Sequence, residues 1–156
     1  MDTDAYLADA NEFINTLPHC QKLGMKVVTA INGQLAIELP YRLENSGTDS
    51  EGYIHGGLLT TMMDTVCGLA ATYALPTAEF CPTLDLRMDH MRQTTNKGSI
   101  FAWAECYKVT SSVCFTRGSA YQSDPNDPIV SCVATFIRSG KVWTKGGFVK
   151  ISEKGQ

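Results

Sequence analysis

From Gly52 to Ala78 the chain carries one formally charged side chain, Asp64. Around it run Gly, Ala, Thr, Met and aliphatic residues, with Pro76 near the end. Leu59, Met62, Met63, Val66, Ala70 and Tyr73 fall on one face at helical spacing. Thr60, Thr61, Asp64, Thr65, Gly68, Ala71 and Thr72 make the other face, of small or short polar groups. The pattern predicts one long helix from about Gly56 to Ala74, stopped by Pro76. Neither face carries the long charged side chains of a solvated surface, so the helix must be covered on nearly all sides. A sheet curved around it covers most, and the small-residue side needs a second chain. Asp64 stands out because a carboxylate is costly to bury unpaired, and no Lys or Arg is near it in sequence.

The flanking segments supply that sheet. Tyr6, Ala10, Phe13 and Leu17 are spaced for a helix over about 4–17, which Pro18 ends. Met25 to Ile31 and Gln34 to Leu39 read as strands joined by Asn32-Gly33, a two-residue hairpin signal. Residues 40–52 are polar and irregular. After Pro76 the period changes to two. Thr83 to Met91 alternates Leu84, Leu86 and Met88 with Asp85, Arg87 and Asp89. Ser99 to Lys108 alternates the smaller Ile100, Ala102, Ala104 and Cys106 with the larger Phe101, Trp103, Glu105 and Tyr107. Val113 to Gln122 and Ile129 to Ile137 are the last two strands, linked by the turn-rich Asp124 to Pro128. The turns at Asn96-Lys97-Gly98 and Thr110-Ser111-Ser112 are short, so the strands pair antiparallel. The expected class is α+β: a long central helix wrapped by a curved six-stranded antiparallel sheet. No structure is expected in the Gly- and Lys-rich tail 139–156.

The whole chain, 156 residues with net charge −3, reads as one domain with a core over about 22–138. That charge does not suit a nucleic-acid or anionic-membrane surface. No segment reaches membrane-spanning length, and the acidic start Met1-Asp2-Thr3-Asp4 lacks the order of a signal peptide. A cytoplasmic protein is expected. Six cysteines, with no C-x-x-C pair, read as small hydrophobes. His19, His55 and His90 are scattered and make no metal-ligand set, so no metal and no cofactor are expected. His19 and His90 read as structural or surface residues.

His55-Gly56-Gly57, with Asp64 nine positions after the histidine, resembles the signature of the hotdog-fold acyl-CoA thioesterases. Within them it is most similar to the phenylacetate-pathway-type branch. Leu23-Gly24-Met25 with its hairpin, and the strand Thr83-Leu84-Asp85-Leu86-Arg87-Met88, fit the same pattern, so the resemblance covers roughly Lys22 to Arg138. It implies the hotdog fold and hydrolysis of an acyl-CoA. It also implies a homodimer, and beyond that a dimer of dimers. By the resemblance Gly56 offers its backbone N–H to the thioester carbonyl, and Asp64 is the nucleophile or the general base for water. Thr83 falls where relatives often place a hydroxyl that holds the water. His55 and Gly57 help position the loop and the substrate. Many relatives have Asn six positions before the histidine; here that position is Asp49, a substrate-side residue of altered chemistry.

Thioester hydrolysis needs a donor for the charge that develops on the carbonyl oxygen and an attacking oxygen. A helix N-terminus provides the first and a carboxylate the second. Gly56 and Asp64 are about 12 Å apart along one helix at 1.5 Å per residue. A reacting carbonyl must meet both within about 3 Å. One helix cannot supply both, so if both act the site forms between two subunits. Taken alone, Asp64 also fits a buried acid capped by Thr60 or Thr61. Two other functions stay open: a hydratase or dehydratase with His55 as base, and a non-catalytic acyl-CoA binding module.

Overall fold

The computed structural model describes residues 3–47, 53–94, 98–144 and 147–150. Two short helices open the chain, α1 (Thr3–Thr16) and α2 (Pro18–Leu23). Pro18 does end the first helix, but it also begins the second at a first-turn position, where its missing N–H costs nothing. Strands β1 (Lys26–Ile31) and β2 (Gln34–Leu39) form the expected hairpin, with Gly33 at φ +76° in its turn. A single 3₁₀ turn follows at Leu43–Asn45. The long helix α3 (Gly56–Tyr73) comes next. Strands β3 (Thr83–His90), β4 (Ile100–Val109), β5 (Val113–Tyr121) and β6 (Val130–Ile137) complete one antiparallel sheet in the order β1-β2-β4-β5-β6-β3. This is the helix-in-sheet architecture of the hotdog fold.

The sheet closes around α3 because its inner positions are small. Ala102 and Ala104 on β4, Cys114 and Ala120 on β5, and Cys132 and Ala134 on β6 are all buried. Their outward neighbours Phe101 and Tyr121 stack with ring centroids 6.1 Å apart. Leu59, Met62, Met63, Val66, Ala70 and Tyr73 are buried against this lining, as the spacing predicts. The other face of α3 is buried only toward its end: Ala71 and Thr72 are covered, Asp64, Thr65 and Gly68 half-buried, and Thr60 exposed. Strand β3 is an edge, and its apolar side is left partly open, with Leu84 55% exposed. No helix among the described residues is long and apolar enough to cross a membrane.

The tail does not lack structure, contrary to its composition. Lys141–Thr144 and Gly147–Lys150 form a hairpin, β7–β8. Trp143 and Phe148 pack on each other and both on Phe13 of α1, and Phe148 also packs on Phe80. The packing of these rings on Phe13 and Phe80 outweighs the poor strand propensity of the intervening Gly and Lys. Backbone bonds from Phe80 N to Lys141 O (2.7 Å) and from Trp143 N to Ala78 O (2.8 Å) attach the hairpin to the segment before β3. The same segment carries Glu79, only 2% exposed. Glu79 accepts from Arg138 Nη2 at 3.0 Å and from the Gly140 N–H at 2.8 Å.

Arg138→Ala leaves that carboxylate buried with its charge partner gone. It is expected to lower unfolding free energy by about 3 kcal/mol, the low end for such a break because Arg138 keeps some solvent contact. The paired change Glu79→Gln with Arg138→Met should recover much of the loss. Urea unfolding measures both, and a change below about 1 kcal/mol for Arg138→Ala would show that the pair does not hold the segment.

Candidate active site

His55 is the N-cap of α3, and its Nδ1 accepts the Gly57 N–H at 3.0 Å. A Cβ on residue 57 would lie 3.0 Å from that nitrogen, so glycine there makes room for the cap. With Nδ1 accepting from Gly57, that ring nitrogen is taken up by the cap. The ring is exposed. The Leu58 N–H bonds to the His55 carbonyl at 2.9 Å, while nothing among the described residues accepts the Gly56 N–H. Gly56 is itself exposed, and a Cβ there would meet only His90 Cε1, at an ordinary 3.6 Å. Packing within the protomer therefore does not require glycine at 56.

Two turns further on, Asp64 is half-buried rather than enclosed. Thr83 at the start of β3 donates its hydroxyl to Asp64 Oδ1 at 2.7 Å. Thr60 and Thr61 do not cap the acid. They donate to the Gly56 and Gly57 carbonyls four residues back, at 3.3 and 3.1 Å, as Thr65 does to Thr61 at 2.8 Å. Among the described residues Asp64 thus has one neutral partner, and its second oxygen accepts no bond. It opens on a cavity of about 410 Å³ shared with Thr83, Phe13, Leu69, Phe80 and Phe136.

Gly56 opens elsewhere. Its cavity, about 380 Å³, is lined among others by Tyr53, Leu59, His90 and Arg92. The two linings have no residue in common. The structure therefore brings Asp64 and Thr83 together, and His55, Gly56 and Gly57 together, as two separate clusters. Asp49 lies outside the described residues, as does most of the Asn96-Lys97-Gly98 turn. His90 is exposed, and the fold sets it beside Gly56, which sequence reasoning missed. That proximity links the end of β3 to the start of α3, and no local pattern signals it. Arg87 pairs with Asp89 of its own strand at 3.3 Å, and Arg92 with Asp127 at 3.0 Å.

Thiols near Asp64 compete poorly for its role. Cys67 touches Cys132, and that contact first, then burial, pushes its thiol well above the usual range. It stays protonated and nonnucleophilic at neutral pH. Cys81 lines the same cavity as Asp64 and is drawn below its usual value by Cys114. Its S–H, however, points to the Glu79 carbonyl at 3.3 Å. Among the described residues no group of three or more His, Cys, Asp or Glu side chains is placed to hold a metal ion.

The thioesterase superfamily pattern matches residues 51–129, a span that contains His55, Gly56, Asp64 and Thr83. This chain belongs to the thioesterase superfamily. It is 45% identical to a crystallographically solved protein of Pseudomonas aeruginosa, over 85% of this chain and 98% of that one, with a TM-score of 0.79. A Halobacterium salinarum protein named as a candidate esterase is 37% identical over 95 residues, 58% of this chain and 61% of that protein. The match thus spans under two thirds of that relative's length. The phenylacetic acid degradation protein PaaI of Thermus thermophilus, solved as a point mutant, shares the fold. It is 22% identical over 78% of this chain and 98% of that one, with a TM-score of 0.66.

Proposed function

We propose that this protein hydrolyses acyl-CoA thioesters to the free acid and CoA, at sites shared by two subunits of a homodimer. One observation carries the reading. A free N–H at the start of α3 and a carboxylate two turns along it open on separate cavities of the protomer. Both groups suit thioester chemistry, and only a second copy can bring them to one carbonyl. The part-exposed edge strand β3, which holds Thr83 against Asp64, offers unpaired backbone groups beside the half-site, suited to a second copy of itself.

In that arrangement Gly56 of one subunit donates its N–H to the thioester oxygen. The positive end of α3 stabilises the charge that gathers there in the tetrahedral state. Asp64 of the other subunit supplies the attack in one of two ways. Its carboxylate adds to the carbonyl carbon, the C–S bond breaks, CoA leaves as thiolate, and water cleaves the resulting anhydride. Alternatively, Asp64 takes a proton from a water that adds directly, and that proton passes to the departing sulfur. Thr83 donates to one carboxylate oxygen and leaves the other for the reaction. Arg92 is occupied by Asp127, which does not favour it as the anchor of a CoA phosphate. His55 Nδ1 is engaged by the Gly57 N–H, which favours hydrolysis over hydration, since hydration needs that histidine as a base.

The test is thiol release from a panel of acyl-CoAs. Turnover is expected with the protein alone and unchanged by a chelator, since the proposed chemistry uses no metal. Hydration of an enoyl-CoA without thiol release would replace the reading with a hydratase. Saturable binding of acyl-CoA with no turnover would leave a binding module.

A further inference from the structure

The cavity beside Asp64 and Thr83 has an aromatic wall: Phe13 of α1 and Phe80 of the segment before β3, with Leu17 of the α1–α2 bend also in its lining. Phe148 of the C-terminal hairpin backs both rings, at 5.9 Å from Phe13 and 4.7 Å from Phe80, and Trp143 backs Phe13 at 5.2 Å. Each part of this wall is anchored. Asn11 ties α1 to β1 through Nδ2 to Val27 O at 2.9 Å and Oδ1 from Val27 N at 3.0 Å. The buried Glu79–Arg138 pair and the hairpin's backbone bonds hold Phe80. The wall is therefore a fixed surface. Phe13, Leu17, Trp143 and Phe148 lie outside residues 51–129, the span that carries the superfamily pattern and the reacting groups. These elements line or back the pocket from outside that span.

We propose that this cavity takes the acyl group of the thioester, and that the Phe13–Phe80 wall, backed by Phe148 and Trp143, is the stop that sets the longest chain accepted. The inference rests on the thioesterase reading above. About 410 Å³ is near the lower end of small-molecule sites, roughly 300–1,000 Å³. The occupant is accordingly a compact apolar acyl group, a medium-length straight chain or a single aromatic ring. The lining holds no Lys or Arg to meet a second carboxylate, and Asp64 at the mouth repels one. Acyl groups ending in an acid are excluded on that ground.

The test compares kcat/KM for hexanoyl-, decanoyl- and myristoyl-CoA in the wild type, Phe80→Ala and Phe148→Ala. Phe80 is half-buried and Phe148 is 41% exposed, so both variants should fold more readily than one truncated at the buried Phe13. In the wild type kcat/KM should rise about fourfold per methylene, the worth of about 0.8 kcal/mol of apolar burial. It should then fall once the chain meets the wall. Opening room for two more methylenes in Phe80→Ala should raise the myristoyl-to-hexanoyl ratio at least about tenfold, with a smaller rise in Phe148→Ala. Folded variants whose ratio stays at the wild-type value would overturn the stop while leaving the hydrolase standing. If the wild type cleaves neither these three nor phenylacetyl-CoA, the hydrolase fails. Thermal stabilisation by the same three acyl-CoAs then decides the stop: a length profile that Phe80→Ala extends supports it, and a profile that does not move overturns it.

Discussion

Asp64→Asn is expected to lower acyl-CoA turnover by about a thousandfold or more, the scale of losing a nucleophile or general base. The amide is nearly isosteric, and its oxygen can still accept the 2.7 Å bond from Thr83. It can neither attack a thioester nor take a proton from water. Asp64 is half-buried with one hydrogen-bond partner, so exchanging charge for amide should move stability by no more than about 1 kcal/mol. Unchanged melting with lost turnover separates chemistry from folding. Thiol release under single-turnover conditions, beside a thermal melt, measures both. Near-normal turnover in Asp64→Asn, with turnover lost instead in Cys81→Ala, would move the nucleophile to the thiol that shares the cavity.

A lone acid among apolar neighbours suggests enclosure, yet the protomer leaves it half-exposed. The sequence pattern marks a surface that the described residues of one protomer leave partly uncovered. Elements set by local rules were legible. The spacing of Leu59, Met62, Met63 and Val66 located α3 within a residue at its end, and Asn32-Gly33 located the first hairpin. The alternation of small Ala102 and Ala104 with large Phe101 and Trp103 told inner from outer face on β4.

What was not legible depends on contacts distant in sequence. The β7–β8 hairpin forms because Trp143 and Phe148 find Phe13 and Phe80, more than sixty positions away in each case. Helix α2 was hidden because Pro18 ends one helix while serving as the first turn of the next. At the site, the spacing of His55, Gly56 and Asp64 pointed to the residues, and Thr83 came from the resemblance. Local pattern gave neither the cap from His55 to Gly57, nor His90 beside Gly56, nor the aromatic wall.

In the proposed mechanism Gly56 and Asp64 act on one thioester from different subunits. Two variants test it, each expected to be inactive alone. Asp64→Ala removes the acid. Gly56→Val blocks approach to the backbone N–H, and the added Cβ meets only His90 at 3.6 Å in the protomer, so the fold should survive. In a homodimer either change spoils both sites. A mixed dimer collects both lesions in one site and leaves the other with an intact Gly56 and an intact Asp64. Unfolding and co-refolding the two at equal concentration should make half the dimers mixed, each with one good site. Thiol release should then return to roughly a quarter of the wild-type rate by simple statistics on independent sites. If tagged pull-down confirms mixed dimers and thiol release stays at the level of the separate variants, Gly56 and Asp64 do not meet across a subunit interface, and the shared-site account is wrong.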